Sequence, residues 1–271
     1  KDINGFPKVE RPNASSYELN EHLADLFESA MQTLDKKLTY ARYQAIAYLK
    51  PEVSNGLYDN AELISRSLAG IRKNGLVKRL ESSFYAFQVS LDNFRQANKN
   101  MIDMFNRDKV FIAPDLDINN LLESGYTDEE IEEKLNAKAE DNPKNSVFKA
   151  EDFKPEFIEM LQSDQDTLEK MCKAWEKITD ADDSKFAKFN ELLKHELFKE
   201  DRNPEQKLVV FSESVDTVKY LERRINRKDV LVISADNRSK LFKTIRENFD
   251  ANYKTKLNDY NIILTTDVLA E

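Results

Sequence analysis

Short polar residues collect at the ends of three apolar runs in the last quarter of the chain. Ser212 and Glu213 follow the run 207–211, Ser234 and Asp236 follow 230–233, and Thr265, Thr266 and Asp267 close 261–265. Continuous apolar runs rich in β-branched residues read as parallel strands buried on both faces, and parallel sheets hold ligands outside the carboxyl ends of their strands. As a set on one edge these hydroxyls and carboxylates form a candidate ligand site. Taken singly, each also suits the cap of a following helix, with Ser214 (toward Thr217), Ser239 and Asp267 the candidate caps. A second set is cationic. Arg66, Arg72, Lys73, Lys78 and Arg79 gather around Gly75, which is read as near a helix start, and Arg223, Arg224, Arg227 and Lys228 form a later group. Such runs are solvated helix faces by default and phosphate-binding surfaces where tertiary structure clusters them.

Other chemistries find few residues. One cysteine and two distant histidines, His22 and His195, cannot form a His/Cys zinc site or an internal disulfide. Cys172 lies among apolar helical positions and reads as an inert thiol. Gly70 and Gly75 have the outer spacing of a phosphate-binding loop, but Leu76 and Val77 stand where its lysine and hydroxyl belong. Asp128, Glu129 and Glu130 follow Ser-Gly-Tyr-Thr rather than a strand, which suits a helix first turn capped by Thr127. The sequence has no apolar run of membrane-spanning length and no signal-peptide core near its start, so a cytoplasmic protein without membrane contact is expected.

The elements that must position these residues fall into two periods. With 271 residues, 40% hydrophobic, and 16 Phe, the chain has material for two cores. Residues 1–14 read as an extended segment. Ser15 and Glu18 offer a capping box for a long amphipathic helix through Leu38, ending before Pro51. Further helical patterns run over 60–72, from Leu76 to Phe105, over 127–139, from Phe157 to Ile178, and from Phe186 to Leu197. At Pro204 the period changes to strand 207–211, helix 215–225, strand 230–233, helix 239–249 and strand 261–265. This βαβαβ order implies parallel strands. The expected architecture is therefore mostly α: a helical unit over 15–203, then a partial α/β domain over 204–271 whose three strands are too few for a complete sheet. The net charge of -9 is uneven, since 115–183 carries 21 acidic and 8 basic residues, which leaves the remainder positive.

Two stretches of the last part, KLVVFSESVDTVKYL (207–221) and ILTTDVLAE (263–271), resemble motifs IV and V of the carboxy-terminal, RecA-like motor domain of superfamily-two helicases. The resemblance is greatest to the bacterial Swi/Snf-like group. KDI (1–3) with FPKVE (6–10) is similar to the segment leaving the first motor domain there, and LVKRLESS (76–83) to a run in the helical region. The resemblance implies a DNA-dependent ATPase whose ATP and Mg are cradled by a first motor domain before Lys1, with the arginine-bearing motif VI after Glu271. It implies duplex DNA as partner, no nucleotide bound by this chain alone, and no ATP hydrolysis by it. Thr265 and Thr266 would then contact backbone phosphate, with Ser212 and Glu213 on the same surface, Asp267 supporting the loop, and Arg72, Lys73, Lys78 and Arg79 adding charge. Two other classes remain open: a non-enzymatic helical module binding protein partners through the acidic segment 115–183, and a doubly wound domain for a small ligand.

Overall fold

The structure is a computed structural model that describes residues 11–54, 60–113, 144–235 and 237–266, with Lys134, Ala137 and Asn142 as isolated positions. It is mostly helical with a small parallel sheet. The helical part contains α1 (Glu21–Lys36), a 3-10 segment (Ala41–Tyr48), the short α2 (Pro51–Ser54), α3 (Ala61–Ser82), α4 (Phe84–Asn106), α5 (Glu156–Trp175) and α6 (Ser184–His195). Most of the pattern expected over 127–139 lies outside the described residues, as do 1–10, Asp236 and Asp267.

The centre of this part is the seam between α4 and α5. Phe84, Phe87, Leu91, Phe94, Asn98, Met101 and Phe105 are spaced alternately by three and four, and Phe157, Leu161, Asp164, Leu168, Met171 and Trp175 answer them from α5. A 3.5-residue period keeps one stripe of each helix facing its partner. The helices run antiparallel: Phe84 and Phe87 meet Trp175 with ring centroids 5.3 and 4.9 Å away, while Phe105 meets Phe157 at 5.4 Å at the other end. Two polar residues enter the stripe, and their polar atoms are paired except for Asn98 Oδ1, which has no hydrogen-bond partner among the described residues. Asn98 donates to the Leu161 carbonyl at 2.9 Å and Gln165 Oε1 at 3.0 Å. Asp164 accepts from the Thr39 and Ala41 amides at 2.7 and 3.0 Å and from the Thr39 hydroxyl at 3.0 Å. That carboxylate thus holds the turn through Tyr40, which sits at φ 56.

Three expectations for this part change. The first helix is capped by Asn20, whose side chain accepts from Leu23, not by Ser15. Helix α3 runs unbroken through Gly75, and the break falls at Ser83, where an extended residue (φ -159) caps α4. Gly75 is therefore inside a helix, and Leu63, Ile64, Leu68 and Ile71 on the first half of α3 are exposed rather than part of a core face. Finally, the region is not wholly helical. Strands β1 (Val110–Ile112) and β2 (Ser146–Phe148) pair antiparallel, with Val110 opposite Phe148.

After Asn203 the chain forms β3 (Leu208–Phe211), α7 (Val215–Ile225), β4 (Val230–Ile233), α8 (Arg238–Phe249) and β5 (Ile262–Thr265). All three strands are parallel in the order β3-β5-β4, with Leu208 and Val230 both level with Ile262. Central β5 is buried at every position, as a strand covered on both faces should be. One face packs Val218 and Tyr220 of α7 against Ile262 and Leu264, joined by Phe186 and Leu193 of α6 and by Tyr85 of α4. The change of period at Pro204 therefore marks a change of element type across a continuous core. On the other face α8 covers Leu231, Ile233 and Ile263. It does not reach β3, so Val209 and Phe211 are 42% and 57% exposed, and the expectation of a β3 buried on both faces fails there. Asn237, not Ser239, takes the cap position of α8.

Candidate nucleic-acid interface

The carboxyl end of β3 and the C-terminal turn of α3 meet. The Lys78 ammonium lies 2.9 Å from the Glu213 carboxylate, and the Arg79 guanidinium donates to the Glu213 carbonyl at 3.5 Å. Beneath them runs a chain of hydroxyls. Ser82 shares hydrogen bonds with Ser212 (3.3 Å) and Thr217 (2.8 Å), and Thr217 with Ser83 (3.0 Å). Backbone termini explain why short polar residues are needed here. Ser83 caps α4 by accepting from Ala86 at 3.1 Å, and Ser214 caps α7 by accepting from Thr217 at 3.3 Å, as its sequence position predicts. Ser212 accepts from the Ser214 amide at 3.2 Å.

Lys185 closes the arrangement from α6. Its ammonium donates to the Glu81 and Ser82 carbonyls at 2.7 and 3.1 Å, satisfying the last carbonyls of α3 where a cation is favoured. Averaged over the residue Lys185 is exposed, yet desolvation of its ammonium lowers the pKa, with Asp183 and Glu81 opposing. Asp183 is buried and caps α6, accepting from Phe186 at 2.8 Å. Between α3, α6, β3 and α7 lies a cavity of about 420 Å³. Its lining includes Lys78, Ser82, Ser212, Glu213, Thr217 and Tyr220. Burial pushes the Tyr220 hydroxyl up, and neighbouring Asp183 adds to the shift. That hydroxyl is fully enclosed and sits beside the Asp183 carboxylate.

The remaining candidates sit elsewhere. Arg72 turns inward, donating to the Ser90 carbonyl at 3.1 Å with its guanidinium 5.9 and 5.3 Å from the ring centroids of Tyr43 and Phe94. Lys73 pairs with Asp35 of α1. Thr265 is fully buried and donates to the Thr266 carbonyl at 3.1 Å, and Thr266 is 7% exposed. Arg223 and Arg224 both pair with Asp180 at 3.1 Å and lie over aromatic rings of α4 and α6, while Arg227 pairs with Asp229. Within 115–183, Asp164, Asp180 and Asp183 are committed to internal contacts, whereas 115–133 lies outside the described residues. Cys172 is half-buried, and burial pushes its thiol up, which disfavours the reactive thiolate.

Sequence reasoning missed Ser82, Ser83, Thr217 as a surface contact, Lys185 and Tyr220. Only the Ser82-Ser83 pair carried a local signal, as a cap type inside a long apolar pattern. Among the described residues no group of three or more His, Cys, Asp or Glu is placed to hold a metal ion, and no helix is long and apolar enough to cross a membrane. Comparison with protein-family models, curated proteins and solved structures gives no match to this chain.

Proposed function

We propose that this chain is the helical insertion and the first half of the second, RecA-like motor domain of a Swi/Snf-like, superfamily-two DNA translocase acting in the cytoplasm. The observation that carries the reading is the meeting of Lys78 and Arg79 with Ser212 and Glu213 at the carboxyl edge of a parallel sheet. Four residues named separately from the sequence, from segments resembling two different parts of such a motor, fall on one surface. Cations and hydroxyls there suit backbone phosphates, which position a motor without reading sequence. ATP and Mg would be held by the first motor domain, where the charge developing on the transferred phosphoryl group is neutralised. The helical part braces the grip, because α3 reaches the sheet edge directly.

The test is binding of mixed-sequence duplex DNA across a salt series. The chain should bind with an affinity that falls steeply with salt. Replacing Lys78 and Arg79 together by Ala should weaken all sequences alike and reduce the log–log salt slope by about 2, roughly one for each phosphate no longer neutralised. An unchanged slope and affinity would remove this surface from the nucleic-acid path.

A further inference from the structure

One group on this surface has the wrong sign for the phosphate placed there above. The Glu213 carboxylate stands 2.9 Å from the Lys78 ammonium, with the two side chains 66% and 58% exposed. The same residue meets the neighbouring cation through a different atom, its main-chain carbonyl, which accepts from the Arg79 guanidinium at 3.5 Å. We propose that Glu213 is a displaceable counter-ion: its carboxylate occupies Lys78 while no strand is bound, yields that lysine to a backbone phosphate, and reclaims it on release. This role rests on the reading given above, that Lys78 and Arg79 grip phosphate, and it adds what limits the grip.

The neighbours of Glu213 fix its main chain and leave its side chain free. On one side the Ser212 amide donates to the Thr265 carbonyl at 3.0 Å, which ties the end of β3 to β5. On the other, Ser214 is fully buried as the cap of α7, and its amide donates to the Ser212 hydroxyl at 3.2 Å. Arg79 therefore has a fixed acceptor, whereas Lys78 is neutralised by a carboxylate on a solvated, rotatable stem. An exposed ion pair of that kind is weak, because water screens it and two long side chains must be held in one geometry. A phosphate arriving at Lys78 exchanges one anion for another at little cost, and a phosphate leaving it has a carboxylate at hand to take its place. Arg72 and Lys73, earlier on α3, lack this arrangement: Arg72 turns inward onto the Ser90 carbonyl, and Lys73 is held by Asp35 of α1. A surface that binds every sequence and passes along the backbone has to release each phosphate it grips, and a carboxylate waiting beside the lysine shortens the life of that contact.

The test is a double-mutant cycle between Glu213→Gln and Lys78→Ala on the 271-residue chain, read by equilibrium titration and dissociation rate with mixed-sequence duplex DNA at one fixed salt concentration. Both side chains are more than half exposed, so neither change disturbs a core, and glutamine retains the main-chain carbonyl that seats Arg79. Glu213→Gln should bind DNA about two- to fivefold more tightly and leave it more slowly, the scale of one exposed ion pair. In the Lys78→Ala background most of that gain should disappear. Equal gains in both backgrounds mean general charge repulsion, which overturns the counter-ion role and leaves the phosphate surface standing. Binding by Glu213→Gln that is unchanged or weaker overturns the role as well. If Lys78→Ala binds as tightly as the unmodified chain, the phosphate reading itself fails and takes this role with it. DNA binding that emerges only in Glu213→Gln supports the role, and absence of binding by both the unmodified chain and Glu213→Gln overturns both readings.

Discussion

Asp164 offers the sharpest test of how the helical part is held. Replacing it by Ala strips the acceptors from the Thr39 and Ala41 amides and the Thr39 hydroxyl. The Ala41 amide belongs to a residue with no exposure, and an orphaned buried donor costs about 1–3 kcal/mol. Thr39 is half-buried, and its two donors find water at a cost of about 0.5–1 kcal/mol each. Against this, the buried carboxylate is itself unfavourable: desolvation raises its pKa above the ordinary carboxylate value, and the hydrogen bonds recover only part of the loss. The net expectation for Asp164→Ala is a loss of about 2–3 kcal/mol. Asp164→Asn should lose less, since one amide oxygen can still accept. Trp175 is the single tryptophan and is 1% exposed on the same helix, so urea unfolding followed by its fluorescence reports this core directly. A loss below about 1 kcal/mol for Asp164→Ala would show that the turn through Tyr40 holds itself, for example through the Tyr40 hydroxyl donating to the Leu34 carbonyl at 2.8 Å, and would refute the anchoring argument.

Arg72→Ala should cost about 1–2 kcal/mol of stability, by removing two cation–ring interactions and one hydrogen bond, while changing DNA affinity less than about twofold. Lys78→Ala should do the reverse, so urea unfolding and DNA titration on the same pair of variants separate the two roles. Asp229 is held below the ordinary carboxylate range chiefly by the Arg227 guanidinium, and it also accepts from Asn261 at 3.0 Å at the start of β5. A depressed folded pKa gives stability present above the unfolded value and lost as pH falls through the folded one. Unfolding measured from neutral pH down to about 3 should therefore show an acid slope that is shallower in Asp229→Asn. Lys185→Met should cost about 1 kcal/mol by leaving the last α3 carbonyls without their cation, read as a fall in melting temperature.

Where the chain's own period decides structure, the sequence is legible. Helix 215–225 and strand 230–233 end where their patterns end, and Ser214 caps as its type suggests. The errors share a physical cause. Leu76, Leu80, Phe84, Phe87 and Leu91 keep helical spacing across Ser83, so nothing in the apolar pattern announces that one helix stops and another starts. The pairing of β1 with β2 involves three residues on each strand, too few to express a period of two. Long-range meetings have no local signature either. Lys78, Arg79, Ser212 and Glu213 could each be named from the sequence, but Arg79 and Glu213 are 134 positions apart, and their contact depends on where α3 ends.

Strand order matters most for the site, and it is the property a βαβαβ pattern leaves open. Were β5 at an edge, Thr265 and Thr266 would stand at the rim of the sheet. In the order β3-β5-β4, β5 is flanked on both sides, and the Ser212 amide donates to the Thr265 carbonyl at 3.0 Å, prolonging the pairing to the end of the strand. The hydroxyl of Thr265 then turns to the neighbouring Thr266 carbonyl, and both residues are enclosed. Among the described residues no strand pairs with the outer side of β3, and there α3 approaches with two cations, Lys78 pairing with the Glu213 carboxylate. Of the polar residues named at the strand ends, Thr265 and Thr266 are thus enclosed while Ser212 and Glu213 stand nearer the surface. A ligand gripping this sheet meets Glu213, Lys78 and Arg79 before it meets either threonine.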